Sequence, residues 1–461
     1  MRDSGRRLRQ SYRGANPDVD PPVWRNRAAV LFRCAGSLAV RRQSSRSSKD
    51  MSERQDVVVA GGGYVGLSLA LALKAADPGL SVAVVEPKPP AALRRDGRAS
   101  AVASAARAML DRLGVWSSIA PAAQPITEMV VTDSRVGDAV RPVFLTFGGA
   151  LEDGTPFAHM VPNAAMVGAL LDAATATGIA LIAPDSVSGF ETGAGATQLT
   201  LASGRRIEAG LLVACDGARS RLRDLAGIRT VRWDYGQSGI VSTIEHERPH
   251  EGRAEEHFLP SGPFAILPLA DDAEGRHRSS LVWSERSDEA RRLVEGDDFT
   301  FALELERRFG RHLGAIRQTG PRHAYPLGLT LARDWVRPRF ALCGDAAHGI
   351  HPIAGQGLNI GFRDAAALAE VLIEARRLGQ DVGAFDVLER YQLWRRYDAF
   401  EMGMVTDVLN RLFSNDLTPI RLIRDIGLGL VDRLPGLKRR FIREAAGIGG
   451  DMPRLMRGEA I

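Results

Sequence analysis

The sequence predicts an α/β fold: a doubly wound parallel sheet, an inserted antiparallel β-sheet, and helices at the carboxyl end. Three apolar runs, residues 81–85, 211–215 and 340–343, each end at an acidic residue: Glu86, Asp216 and Asp345. Such runs are typical of buried parallel strands, whose carboxyl ends share one edge of a sheet. Between 235 and 283, four short segments rich in β-branched and aromatic residues predict the antiparallel sheet.

Length and composition exclude several classes of protein. The chain has 461 residues, enough for two or three domains, and 45% hydrophobic with 25% charged residues, as in globular proteins. The three cysteines, Cys34, Cys215 and Cys343, have neither a disulfide nor a metal-ligand spacing. We therefore expect a reducing compartment and no metal site, although His348 and His351 lie on one loop.

The positive net charge is confined to the amino end. Residues 1–50 hold 12 basic and 4 acidic residues, which leaves 48 basic and 51 acidic residues for the rest. The body is therefore nearly neutral, and nucleic-acid binding is not expected. The first 50 residues are either a mitochondrial-type targeting segment or an unstructured extension ahead of Met51, and they are excluded from the fold. The predicted location is cytoplasmic, peripheral on an inner membrane, or mitochondrial if the segment targets the protein.

The strand at 56–60, the helix at 67–76 and the strand at 81–85 enclose a Rossmann-like dinucleotide fingerprint. Gly61 makes the tight turn, Gly63 lets the backbone approach a pyrophosphate, and Gly66 lets helix and strand pack closely. Glu86 follows 20 residues after Gly66, where an acid binds the adenosine ribose. The fingerprint alone does not separate FAD from NAD.

The second acid-tipped strand ends at Asp216, beside the start of a helix. Ser220 and Arg223 follow and could hydrogen-bond phosphate or ribose. The alternative is that Asp216 is simply the N-cap of that helix.

The third acid-tipped strand leads into the most informative stretch of the chain. Gly344 and Asp345 are followed by a loop with His351 and Pro352, and a helix is predicted from Leu358. Glycines at 355, 357 and 361 leave backbone N–H groups uncovered at the helix start, which suits an anion or an electron-rich carbonyl. The alternative is an ordinary strand–loop–helix with glycines that serve packing.

These stretches together resemble the flavoprotein aromatic hydroxylases (class A monooxygenases), and most closely their ubiquinone-biosynthesis branch. Residues 344–364 resemble the GD…HP…GQG.N.G..D signature, 216–223 match DGxxSxxR, and 325–327 match YPL. Residues 96–102 resemble D.R..AL, with Val102 in place of Leu, and place Arg98 along the cofactor. The run 406–414 and the tail R..GL…LP.LK at 424–438 resemble the ubiquinone branch. The resemblance covers nearly all of residues 56–440.

The resemblance implies a p-hydroxybenzoate-hydroxylase-like fold that holds FAD. The expected FAD-binding residues are Gly61, Gly63, Gly66, Glu86, Arg98, Asp216, Gly344, Asp345, Gly355, Gly357, Leu358 and Asn359. Gly61–Gly66 would hold the pyrophosphate, Asp345 the ribityl chain, and the helix start near 355 the flavin N1/C2 carbonyl edge. His351 and Pro352 are the expected catalytic residues, and His351 is only a candidate base.

The implied reaction is the hydroxylation of a polyprenylated phenol or benzoquinol by O2, through a flavin C4a-hydroperoxide, in ubiquinone biosynthesis. NAD(P)H or a reduced electron-donor protein would supply the electrons, since no second dinucleotide fingerprint is found. Two alternatives stay open. The first is an FAD reductase or dehydrogenase on the same fold, and the second is a flavin-bound scaffold of a biosynthetic complex.

The predicted domains are discontinuous. Residues 54–125, 157–230 and 320–400 would form the FAD-binding domain, 126–156 and 231–319 the substrate domain, and 401–461 a helical region. The tail is basic and amphipathic, so it docks on a membrane or a partner, or packs on the body with a solvated basic face. The inner face of the antiparallel sheet is expected to roof the flavin, and its candidate aromatics are Trp233, Phe258, Phe264 and Trp283.

Overall fold

Two large β-sheets organise the part of the chain that the computed structural model describes, residues 53–133, 135–136, 143–148, 151, 154–414 and 442–461. The predicted extension 1–50 and the branch-specific tail 424–438 lie outside the described residues. The division into FAD-binding and substrate domains stays a prediction.

The first sheet has eight strands. They are β1 (Glu53–Ala60), β2 (Val82–Val85), β8 (Ala180–Ile182), β9 (Val187–Thr192), β10 (Thr197–Leu201), β11 (Arg206–Ala214), β18 (Val336–Arg337) and β19 (Phe340–Leu342). In the order β19-β11-β1-β2-β8 every neighbouring pair is parallel, as the acid-tipped runs predicted. The near-continuous Val, Leu and Ala of these strands are buried because helices cover the sheet.

Five longer helices carry most of the helical core. They are α1 (Tyr64–Ala76), α3 (Ser104–Arg112), α5 (Asn163–Ala176), α9 (Gln356–Arg377) and α10 (Phe385–Phe413). The short helices are α2 (Pro90–Leu93), α4 (Trp116–Ile119) and α6 (Arg221–Leu225). Helix α10 is buried from its first turn, through Val387 and Leu388. Among the described residues, no helix is long and apolar enough to cross a bilayer.

The second sheet has nine strands in the order β20-β17-β12-β15-β14-β13-β5-β6, with β16 paired to β12. They are β5 (Glu128–Asp133), β6 (Val143–Gly148), β12 (Thr230–His246), β13 (Arg253–Leu259), β14 (Gly262–Leu269), β15 (His277–Arg286), β16 (Ile316–Gln318), β17 (His323–Ala332) and β20 (His348–Gly349). All four segments predicted between 235 and 283 are strands of this sheet. Strands β5 and β6 pair as antiparallel neighbours and join the sheet through β13.

Helices α7 (Ser287–Glu295) and α8 (Asp298–Phe309) cover one face of the second sheet. Helix α8 begins after Asp297, which accepts a hydrogen bond from the Thr300 N–H, and ends at Gly310, which has a φ of 84°. Phe264 and Trp283 point to this covered face and pack on Phe301. Neither therefore roofs the crevice.

The other two candidate aromatics lie elsewhere. Phe258 stacks on Phe413 at 4.2 Å between ring centroids, whereas Trp233 borders the cavity described below. Side chains alternate between the two faces of a strand, so the sequence shows which aromatic residues share a face. It does not show which of the two faces is covered by helices.

A three-stranded sheet and the carboxyl-terminal segment complete the described structure. The strands are β3 (Ala99–Ala103), β4 (Gln124–Ile126) and β7 (Ala158–Pro162). The segment 442–461 packs beside α3, where the Ala105 N–H donates to the Ala446 carbonyl at 3.1 Å. Ala445 of this segment borders the cavity.

Candidate active site

The candidate site lies at the carboxyl edge of the first sheet. The Cys215 N–H donates to Ala60 O at 2.8 Å, and the Cys343 N–H donates to Ala214 O at 3.0 Å. These bonds hold the ends of β1, β11 and β19 side by side. Asp216 and Asp345 therefore follow neighbouring strands, and Glu86 follows β2, which pairs with β1, so all three acids lie at one edge, as predicted.

The three glycines of the fingerprint meet three different demands. Gly61 has a φ of +118°, and a Cβ there would lie 2.2 Å from Cys215 O. A Cβ on Gly66 would lie 2.0 Å from Gly61 O, so close helix–strand packing excludes one. A Cβ on Gly63 would meet nothing within 4 Å. Gly63 also begins α1 without a side-chain cap, so its open side suits a phosphate at a helix N-terminus.

Glu86 braces this turn from the end of β2. Its carboxylate accepts the Gly62 N–H at 2.7 Å and the Lys88 N–H at 2.9 Å, and its side chain is buried. A carboxylate has lone pairs to spare after two such bonds, so a ribose hydroxyl could still donate to it.

The loop after β11 uses its polar groups mostly within the protein. Ser220, not Asp216, is the N-cap of α6, and its hydroxyl accepts the Arg223 N–H at 3.0 Å. Asp216 accepts the Leu222 N–H at 3.2 Å. The buried Arg223 guanidinium donates to Ala346 O at 2.9 Å and so joins the loops after β11 and β19.

Asp345 stands at the floor of the cavity. Its side chain is open to the cavity and surrounded by protein elsewhere, and this burial raises the pKa of its carboxyl. The negative charge of Asp364 acts in the same direction, whereas His348 and Arg98 oppose it. Arg98 also borders the cavity, over the ring of Tyr325 at 5.3 Å.

A buried ionic cluster lies beneath Asp345. His348 Nε2 lies 2.5 Å from Asp364 Oδ2, which also accepts the Gly344 N–H at 3.2 Å, and Arg395 Nε donates to Asp364 Oδ1 at 3.0 Å. Burial acts to raise the pKa of Asp364, but His348 and Arg395 outweigh it and hold that pKa below its usual range. The cluster fixes the backbone from which Asp345 projects.

The start of α9 faces the cavity without a side-chain cap. Gly355 adopts the left-handed conformation at φ 64°, and residues 355–359 border the cavity. The helix begins at Gln356, two residues before the predicted start. Asn359 braces it against β3, since its amide donates to Ala101 O at 3.0 Å and accepts the Ala103 N–H at 2.9 Å. The uncapped N–H groups present a partial positive charge to the cavity.

His351 and Pro352, the predicted catalytic residues, both border the cavity. The ring of His351 is fully buried, and neither nitrogen has a hydrogen-bond partner among the described residues. Burial lowers the pKa of His351 to about 4, against the charge of Asp407. The imidazole is therefore neutral at pH 7, and Tyr235 meets it edge-on at 5.4 Å.

The cavity between the two sheets has a volume of about 820 Å³. The second sheet contributes mainly small and aliphatic side chains, among them Val241, Ala254, Ala265, Leu267 and Val282. One acid, Glu256, lies among them, and it was not among the predicted site residues. A signal was present, because Glu256 shares strand parity with the apolar Ala254 and Phe258. No group of three metal-ligand side chains occurs in the part of the chain described.

Comparisons with known proteins agree with this arrangement. The family model for the FAD binding domain matches residues 54–397. The chain is 46% identical to ubiquinone hydroxylase UbiL of Rhodospirillum rubrum over 415 residues. The aligned region covers 87% of this chain and 92% of that protein. It is 34% identical to 3-demethoxyubiquinol 3-hydroxylase of Escherichia coli, over 85% of this chain and 98% of that protein.

A solved structure shows the same fold. p-Nitrophenol 4-monooxygenase from Pseudomonas putida superposes with a TM-score of 0.71 over 87% of this chain and 100% of that chain. At 22% identity this likeness concerns the fold alone. The predicted fold class and family resemblance are confirmed.

Proposed function

Because the chain belongs to the FAD-binding family of ubiquinone-biosynthesis hydroxylases, it is an FAD-dependent monooxygenase, and we propose that its substrate is a polyprenylated phenol or benzoquinol. The observation that carries the substrate class is the cavity of about 820 Å³, lined largely by aliphatic side chains of the second sheet. A cavity with such a lining suits a flat ring with an apolar tail.

The residues at the edge of the first sheet fit FAD. We assign the pyrophosphate to Gly61–Gly66, where the open side of Gly63 leaves room, and the adenosine ribose to Glu86. We assign the ribityl chain to Asp345 and the electron-rich edge of the flavin ring to the uncapped start of α9. When bound, FAD supplies the activation of O2, which protein side chains do not provide.

The protein's own contribution is orientation, electrostatics and the exclusion of water. A partly buried helix N-terminus stabilises a negative charge by roughly 1–2 kcal/mol, about one pKa unit. The aliphatic lining keeps water from the reacting oxygen. Electrons would come from NAD(P)H or from a reduced donor protein, which incubation with NADH, NADPH or a donor would distinguish.

Incorporation of 18O from 18O2 tests the reaction. The FAD-loaded protein is incubated with a short-chain prenylphenol, an electron source and 18O2, and the mass of the product is measured by mass spectrometry. One 18O atom per product is expected. A converted substrate without 18O would instead support the reductase or dehydrogenase, and a full complement of FAD with no conversion would support the scaffold.

We also propose that the protein lies peripherally at a membrane surface, where such a substrate resides. Helix α10 carries an exposed apolar stripe, formed by Leu393, Tyr397, Phe400 and Val408. Their spacing of three to eight residues places them on one side of the helix, opposite its buried face. Exposed contiguous apolar surface of this kind suits a lipid interface.

A further inference from the structure

Glu256 occupies the middle of the cavity-facing side of the second sheet. It lies on β13, directly opposite Ala265 of β14 on one side and Val131 of β5 on the other. Its side chain is only 4% exposed, and it borders the cavity. The carboxyl therefore stands in an aliphatic wall, where an acid has no structural reason to be.

No described residue pairs with this carboxyl, either by a hydrogen bond or by an ion pair. Its neighbour Glu255, on the opposite face, shows the contrast: His257 Nε2 lies 3.5 Å and His312 Nε2 2.9 Å from its oxygens. Burial acts to raise the pKa of Glu255, but these histidines lower it to about 2. A buried acid without such partners costs free energy and usually marks a functional group.

We propose that Glu256 is the general base that accepts the proton of the substrate's ring hydroxyl. This role rests on the proposed phenol substrate. The O–H bond breaks, the proton goes to a Glu256 carboxylate oxygen, and the electron pair stays on the ring oxygen. The resulting phenolate makes its ortho and para carbons electron-rich, which is what attack on an electrophilic oxygen requires.

The proton balance closes within one turnover. After oxygen transfer, the substituted ring carbon loses its hydrogen as a proton to the new oxygen or to solvent, and the ring regains its aromaticity. Glu256 returns its proton to the product's ring oxygen and is again a carboxylate. No oxidant or reductant beyond those of the monooxygenase reaction is needed.

The acidity of Glu256 matches this task better than that of His351. Burial alone raises the pKa of Glu256 to about 7, which is near neutral pH. A general base is most effective when its pKa lies near the operating pH. His351, with a pKa lowered to about 4, is a weaker base, and both its nitrogens are shut off from solvent.

The surroundings of Glu256 offer little to change its charge. Strands β14 and β15 present Ala265 and Val282, and α10 reaches β13 through Phe413. The acid closest along β5 is Asp133, two residues beyond Val131. The remaining charged or titratable groups that border the cavity are Tyr64, Arg98, Arg219, Arg232, Asp234, Tyr325, Asp345 and His351.

Ultraviolet difference spectra of a bound phenol test the proposal directly. Oxidised holoenzyme is titrated without electron donor at pH 7 with 2-prenyl-4-nitrophenol, and the phenolate band is recorded. The nitro group brings the pKa of the ring hydroxyl close to that of Glu256, so that the proton can pass to the carboxylate at equilibrium. We expect phenolate in the wild type and in Glu255→Gln, and neutral phenol in Glu256→Gln. Glu256→Asp, which keeps a carboxylate, should restore part of the band.

Turnover gives a second readout. The hydroxylation rate of Glu256→Gln should fall by roughly 10² to 10⁴-fold. The wild-type rate should rise about tenfold per pH unit below pH 7 and level above it, and this dependence should vanish in Glu256→Gln. A phenolate band and pH profile unchanged in Glu256→Gln would overturn the proposal. If Glu256→Gln fails to bind FAD, a Glu256→Asp variant with wild-type rate and neutral bound phenol would overturn it equally.

These outcomes separate the base from the proposed function. Incorporation of 18O in both proteins with identical spectra would refute Glu256 alone. A carboxylate-dependent phenolate band without any 18O in product would uphold Glu256 and refute the monooxygenase reaction on this substrate.

Discussion

Substitution of Glu256 by Gln should change how the stability of the protein depends on pH, whether or not the residue is catalytic. Burial raises the pKa of this carboxyl from 4.5 to about 7 in the folded state. The folded protein therefore keeps a proton on Glu256 at pH values where the unfolded chain has lost it. This contribution to stability is complete below pH 4.5 and is lost as the pH rises through 7.

The size of the effect follows from the shift. At about 1.4 kcal/mol per pKa unit, the shift corresponds to about 3 kcal/mol. Gln resembles the protonated acid in shape and does not ionise. Relative to Glu256→Gln, the wild type should therefore lose about 3 kcal/mol of unfolding free energy between pH 5 and pH 8.

Urea unfolding of the holoenzyme at both pH values measures this difference, with the FAD concentration held constant because bound FAD adds stability. Glu128→Gln is the matched control. Glu128 lies on the same sheet in a surface ion pair with Arg253, at 2.5 Å, so its loss should cost less than about 1 kcal/mol at either pH. If the wild type and Glu256→Gln respond to pH alike, within about 1 kcal/mol, the carboxyl is not buried and unpaired as inferred.

Three further perturbations test other parts of the structure. Gly66→Ala should lower the melting temperature, since its Cβ would lie 2.0 Å from a backbone oxygen. Gly63→Ala should keep the wild-type melting temperature and weaken FAD binding. Equal melting temperatures for the two variants would contradict this. Asp364→Asn should lose about 3–5 kcal/mol of unfolding free energy, because the buried Arg395 guanidinium loses the carboxylate to which its Nε donates, and a loss under 1 kcal/mol would refute it. Leu393→Ser should weaken sedimentation with anionic vesicles roughly fivefold, unlike the exposed Leu303→Ser on α8.

The sequence alone determined the first sheet and the outline of the site. The motif from Gly61 to Glu86 is local: an apolar strand, a turn that only glycine fits, and a helix must follow one another within about thirty residues. The acids at 86, 216 and 345 were expected at one edge because parallel strands leave no other arrangement. Local chemistry and the geometry of parallel pairing were sufficient for both conclusions.

The hydrogen-bond partners of side chains in the loops could not be predicted from the sequence. By sequence, Ser220 and Arg223 could hydrogen-bond a phosphate or ribose; in the structure Ser220 caps α6 and Arg223 donates to Ala346 O. The partner of Arg223 is 123 residues away along the chain, so no local pattern could reveal it. Likewise, the pairing of His348 with Asp364 depends on how β19 and α9 pack.

Tertiary structure alone decided which face of the second sheet meets the cavity. Alternation along a strand groups Phe264 with Ile266 and Glu256 with Ala254, but it is silent about which group a helix will cover. Helices α7 and α8 bury the aromatic side, and β5, from more than a hundred residues earlier, joins β13 and completes the aliphatic wall around Glu256. The acidity of that carboxyl is set by what surrounds it in space, and therefore only the folded chain determines it.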